Sequence, residues 1–166
     1  MKYIFLDIDG VLNNESTTTK SPDGFVGLSS NLGKRLRKII KSTRAKVVLT
    51  SSWKDSSSEQ DYNYLLRKLK LYLAIPVAKI SEPNGSMFAR GAGINAFLKE
   101  NECEQFVILD DFTFDFKEQG LFPHLVLTSP ERGLTDEDVD KAVNILNGHL
   151  LPEDAYDEML VQGYHR

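Results

Sequence analysis

The chain has 166 residues, 41% apolar and 27% charged, which suits one globular domain built on a single core. Its 20 Lys and Arg against 24 Asp and Glu give a formal net charge of −4, which excludes a domain basic all over that binds nucleic acid through bulk charge. The lone Cys103 excludes an intrachain disulfide and a cysteine-rich zinc site. The apolar runs at 3–6, 47–49, 106–109 and 125–127 are four residues or shorter, far below the roughly 20 that a spanning helix needs. Lys2 is followed by only four apolar residues before Asp7 interrupts them, unlike a signal peptide. The expected compartment is the cytoplasm.

Short β-rich runs alternate with segments of helical period, the pattern of an α/β domain with a mostly parallel sheet. Tyr3-Ile4-Phe5-Leu6 reads as a buried first strand. The polar stretch 13–30 predicts an excursion, with a short hairpin around Pro22-Asp23-Gly24. Leu32, Leu36, Ile39 and Ile40 then recur at helical spacing, with Lys34, Arg35, Arg37, Lys38 and Lys41 on the other faces as a solvated surface. Lys46-Val47-Val48-Leu49-Thr50 is the second strand; Tyr62, Leu65, Leu66 and Leu69 mark the second helix. Ala74-Ile75-Pro76-Val77 reads as a short third strand, and Ile94, Phe97 and Leu98 mark a third helix entered through Arg90-Gly91-Ala92-Gly93. Phe106-Val107-Ile108-Leu109 and Leu125-Val126-Leu127 are the fourth and fifth strands. The last clear helix opens at Thr135, with Asp138 as its capping-box partner and Val139, Ala142, Val143 and Leu146 as its apolar face. The acidic tail at 153–158 leaves helix and loop both open.

Two strands end in paired acids. Asp7 and Asp9 close the first, in Asp7-Ile8-Asp9-Gly10; Asp110 and Asp111 close the fourth. Parallel strands of an open α/β sheet deliver the residues beyond their carboxyl ends into one crevice, the usual ligand site. Unit charges about 4 Å apart repel by roughly 4 kcal/mol at an effective dielectric of 20, so either some acids hold a proton or a cation sits among them. Oxygen ligands without His or Cys nearby favour Mg²⁺. Thr50-Ser51-Ser52-Trp53 ends the second strand and brings hydroxyls and amides able to hold a phosphoryl oxygen. Either acid pair alone also suits a turn or a helix cap. Both pairs after strands of one type, with Gly10 allowing a tight turn, favour a site.

The run Phe-Leu-Asp-Ile-Asp-Gly-Val-Leu-Asn at 5–13 resembles the first motif of the haloacid dehalogenase-like (HAD) phosphohydrolases. Ser51 looks like their second motif, Arg90 like the basic residue of the third, and Asp110-Asp111 like the double-aspartate form of the fourth. Ser-Ser-Trp at 51–53 and Gly-Leu-Thr at 133–135 are similar to the small HAD domains associated with Swiss Army Knife RNA repair proteins. The resemblance implies a HAD-like Rossmannoid three-layer sandwich over 1–166, with a parallel sheet of about five strands in the order 3-2-1-4-5 and little or no cap. It implies Asp7 as nucleophile and Asp9 as acid and base, the Asp9 backbone carbonyl also binding Mg²⁺. Asp111 would be a metal ligand beside Asp7, and Asp110 would hold metal waters or Arg90. Ser51 and Arg90 would bind the phosphoryl oxygens. Lys79 is the rival to Arg90 and Thr50 the rival to Ser51, while Asp115 suits either a third acid or a helix cap.

The excursion at 13–30 is too short for a helical cap and makes at most a flap, and 52–89 holds only one helix and one short strand. An open site suits a phosphate displayed on something large, such as a nucleic-acid end, although a partner chain could serve as a lid for a small molecule. The expected function is therefore a Mg²⁺-dependent phosphatase acting on a phosphomonoester, such as a nucleotide or polynucleotide end. A non-catalytic metal- or phosphate-binding module on the same scaffold is the alternative; a receiver-like domain lacks the Asp-x-Asp-Gly turn. Trp53 packs under a loop or stacks on a base. His124, His149 and His165 lack ligand spacing and read as non-catalytic, and Cys103 as a partly buried small residue.

Overall fold

The computed structural model describes residues 1–55, 58–73 and 77–161. Among them, β1 (Lys2–Leu6), β2 (Lys46–Leu49), β3 (Val77–Lys79), β4 (Gln105–Asp110) and β5 (Leu125–Leu127) form one parallel sheet. Its spatial order is 3-2-1-4-5, as the resemblance implies. The helices are α1 (Ser30–Thr43), α2 (Glu59–Leu73), α3 (Arg90–Glu100), α4 (Asp136–Leu146) and α5 (Asp157–Val161). None of them is long and apolar enough to cross a membrane.

Strand side chains alternate between two cores. Ile4, Leu6, Val47, Leu49, Val107, Leu109 and Val126 pack on one face with Leu32, Leu36 and Ile39 of α1, Leu65 and Leu69 of α2, and Val139, Ala142, Ile145 and Leu146 of α4. Tyr3, Phe5, Val48, Ile108 and Leu125 pack on the other with Ile94 of α3 and with Phe116, Leu121 and Phe122 of the β4–β5 connection. Burial on both faces is why these strands read as unbroken apolar runs. Helix ends follow the sequence signals. Ser29 caps α1 at the Leu32 N–H, and Thr135 and Asp138 exchange both capping-box hydrogen bonds at the start of α4.

The predicted hairpin is present. Lys20 and Val26 form an antiparallel bridge, the Ser21 N–H donates to the Phe25 carbonyl, and Gly24 turns the chain with φ +89°. Buried Asp61 of α2 anchors it, accepting the Ser21 hydroxyl at 2.8 Å and the Asp23 N–H at 3.0 Å. The third strand runs on past the expected residues. It pairs Val77, Ala78 and Lys79 with β2, while Ala74, Ile75 and Pro76 lie outside the described residues. As the sheet's edge strand it exposes Ala78 and Lys79, so a search for an apolar run leaves these two out. The acidic tail forms turns leading into α5.

Candidate active site

Strand register brings the acids to one level. Leu6 of β1 pairs with Leu49 of β2 on one side and with Leu109 of β4 on the other. The next residues, Asp7, Thr50 and Asp110, therefore share one edge of the sheet, and the Asp7 N–H donates to the Leu109 carbonyl at 3.0 Å. Asp7, Asp110 and Asp111 are buried, and each brings a carboxylate oxygen within 4.8 Å of the others. Gly10 makes this approach possible. Its φ is +80°, and a Cβ there would stand 2.1 Å from Asp111 Oδ2.

Arg90, at the start of α3 and 2% exposed, reaches into this cluster. Its Nη1 lies 2.8 Å from Asp110 Oδ2 and 3.4 Å from Asp7 Oδ1. The guanidinium carbon sits 4.3 Å from the ring centroid of Phe114, a residue held in the left-handed region with φ +40°. Lys79 is the other candidate. It is exposed, with Nζ 5.7 Å from the Tyr62 ring centroid. Asp115 resolves as a cap: its carboxylate accepts the Gly91 N–H at 2.6 Å and the Ala92 N–H at 3.1 Å, which fixes the first turn of α3. Both Asp110 oxygens have a partner within the protein: Oδ1 accepts the Phe112 N–H at 3.0 Å and Oδ2 takes Arg90.

Ser51 is 1% exposed and its hydroxyl hydrogen-bonds the Asp7 carboxylate. The neighbouring Thr50 hydroxyl is buried without a hydrogen-bond partner. Asp9 stands apart from the buried cluster. Its side chain is exposed and accepts from Trp53 Nε1 at 3.1 Å and from Asn13 Nδ2 at 2.9 Å.

Electrostatics follow from this crowding. Burial raises the Asp7 carboxyl above the ordinary aspartate range, although Arg90, the Ile8 N–H and the Ser51 hydroxyl each pull it down. Burial raises Asp110 well above that range, with Asp7 repelling it and Arg90 offsetting part of the rise. Burial also works against the Arg90 charge, but Asp110 and Asp7 outweigh it and hold its pKa above the usual value. Asp7 and Asp110 thus share one guanidinium, and Asp111 brings a third buried carboxylate within 4.8 Å of both. Every donor is a carboxylate oxygen, so a hard divalent cation such as Mg²⁺ fits.

Several contacts of the site go beyond the sequence reading. Asn13 and Trp53 hold Asp9. Lys54, buried, pairs with Asp55 and with buried Glu82 at 2.7 Å, tying the turn after β2 to the segment ahead of α3. Thr128 binds the Gly10 carbonyl at 2.7 Å and steadies the loop after β1. Asn13 lies inside the quoted first motif and Trp53 two residues past Ser51, so position gave a signal for both; Lys54, Phe114 and Thr128 offered none. Two of the three histidines fall among the described residues. His124 Nδ1 meets the Phe106 carbonyl at 2.9 Å and its ring stacks on Phe106, His149 is exposed, and His165 lies outside the described residues. Cys103 is half-buried, and burial raises its thiol.

Comparison with solved structures finds one that shares this fold and another of lower similarity. The crystal structure of 3-deoxy-D-manno-octulosonate 8-phosphate phosphatase from Moraxella catarrhalis, in complex with magnesium, phosphate and KDO, gives a TM-score of 0.50 at 12% identity, covering 98% of this chain and 92% of that one. A Legionella pneumophila protein assigned to subfamily III A of the HAD superfamily gives 0.46 at 16% identity, covering 98% and 88%. No curated protein matches by sequence. Residues 3–139 match the family described as "HAD domain in Swiss Army Knife RNA repair proteins". The chain therefore belongs to the HAD superfamily, in the family of HAD domains of Swiss Army Knife RNA repair proteins.

Proposed function

We propose that this chain is a Mg²⁺-dependent phosphatase that hydrolyses a phosphomonoester through an aspartyl-phosphate on Asp7, with a nucleotide or polynucleotide end as substrate. The observation that carries the proposal is the setting of Asp7: a buried carboxylate at a strand end, 3.4 Å from Arg90 and hydrogen-bonded to Ser51, with the exposed carboxylate of Asp9 two residues on. An Asp7 oxygen attacks phosphorus, and the bond to the leaving oxygen breaks as Asp9 gives that oxygen a proton. Asp9 then takes a proton from water, whose oxygen bonds to phosphorus and releases Asp7. Arg90 and the Ser51 hydroxyl hold the non-bridging oxygens and balance their charge. The carboxylates of Asp7 and Asp111 and the Asp9 carbonyl would hold Mg²⁺, which supplies positive charge that lets one anion approach another.

The substrate class is supported by openness. The flap is one short hairpin, and the family takes its name from RNA repair proteins. The test is phosphate release from 3′- and 5′-phosphorylated oligonucleotides, nucleotides, sugar phosphates and phosphopeptides, with and without Mg²⁺. Asp7→Asn is expected to cut turnover at least about a thousandfold while the fold persists. Near-normal turnover in Asp7→Asn refutes the nucleophile; no release by the wild-type chain from any of these esters leaves a binding module instead.

A further inference from the structure

The Asp9 carboxylate is gripped at both oxygens. Trp53 Nε1 donates to Oδ2 at 3.1 Å and Asn13 Nδ2 to Oδ1 at 2.9 Å. The Asn13 amide has no choice of direction, because its Oδ1 accepts the Gly10 N–H at 2.9 Å and leaves the NH₂ for Asp9. Both donors are buried. Trp53 also packs against Tyr64 of α2, centroid to centroid 6.4 Å, and the Tyr64 hydroxyl accepts the Leu28 N–H just past the hairpin. Asp9 itself is exposed, and an untethered aspartate at a surface samples several rotamers.

From this geometry we infer that Trp53 and Asn13 are positioning residues that hold Asp9 in the orientation from which it passes its proton to the leaving oxygen. The inference rests on the phosphatase proposal above. Each carboxylate oxygen has two lone-pair directions. One N–H on each leaves the other direction to carry the proton and meet the substrate. A carboxylate that swings spends much of its time away from that geometry, and the lost fraction of the first step appears in kcat/KM. The loss scales with the leaving group's need for a proton. A departing alkoxide needs one; p-nitrophenolate, stable as an anion, hardly does.

The test assays Trp53→Phe and Asn13→Ala against p-nitrophenyl phosphate and an alkyl phosphate, with Asp9→Asn as the reference that has no proton to give. Each variant is expected to lose about tenfold more kcat/KM, which reports the first phosphoryl transfer and not the later hydrolysis shared by both esters, on the alkyl ester than on the aryl ester, with Asp9→Asn showing the same bias. Equal losses on both esters would mean that the two side chains serve only the fold, and the inference fails. A second measurement leaves Trp53 unaltered. It is the chain's only tryptophan, so its indole N–H gives a single NMR cross-peak. Asp9→Ala, at an exposed position, is expected to shift that peak and speed its exchange with solvent; a peak indifferent to Asp9 also overturns the inference. Wild-type protein inert toward both esters is a different failure, since it removes the phosphatase proposal and the positioning role with it.

Discussion

Replacing Arg90 by methionine keeps most of the buried volume and deletes the one guanidinium shared by Asp110 and Asp7. At an effective dielectric of 20, its contacts at 2.8 Å and 3.4 Å amount to about 6 and 5 kcal/mol of gross attraction. Desolvation of a side chain only 2% exposed offsets much of that. Removing one member of such a buried pair costs about 3–5 kcal/mol, because the surviving carboxylates are left without a counter-charge. Against a total stability of about 5–15 kcal/mol for a domain, this is a large loss. Asp110→Asn in the same chain removes one orphaned charge, so the double variant should recover at least about 2 kcal/mol of it. Urea unfolding at neutral pH in chelator, followed by the fluorescence of Trp53, measures both. A loss below about 1 kcal/mol in Arg90→Met, or a double variant weaker than the single one, would refute the picture of an anionic cluster held by one cation.

Gly10→Ala forces a Cβ to within 2.1 Å of Asp111 Oδ2 at φ +80°, so it should cost about 1–2 kcal/mol in backbone strain and blunt the rise in Tm that Mg²⁺ produces. A wild-type Tm response in that variant counts against Asp111 as a ligand. The raised carboxyls of Asp7 and Asp110 give a pH dependence of definite sign. Above the ordinary aspartate value of 3.8 and up to their folded values, the native state binds more protons than the unfolded chain. Their contribution to metal-free stability therefore falls as pH rises through that window. Mg²⁺ needs the ionised forms, so it should raise Tm more at pH 8 than at pH 5. An equal or larger rise at pH 5, by differential scanning fluorimetry, would contradict the assignment.

The sequence made the acids legible because strand-end chemistry is local: an apolar run and the residues just past it suffice to find Asp7, Asp9, Asp110 and Asp111. The choice between Arg90 and Lys79 was tertiary. Both follow the second helix, and only packing shows that Lys79 ends an exposed edge strand while α3 aims Arg90 inward. Asp115 stayed open for the same reason, since the helix it caps begins 25 positions upstream, at Arg90. Trp53 was visible as a residue, but its bond to Asp9 spans 44 positions and has no periodic signature. The left-handed turn at Phe114 could not be read at all, because bulky residues in that conformation carry no sequence mark.

β1 lies between β2 and β4, so the carboxylate at its tip depends on a neighbour made about a hundred residues later. A chain still emerging from the ribosome can lay β2 alongside β1 while the opposite flank stays bare, with Arg90 lacking its Asp110 anchor. The constellation proposed for hydrolysis is thereby complete only once β4, the last inner strand, has docked.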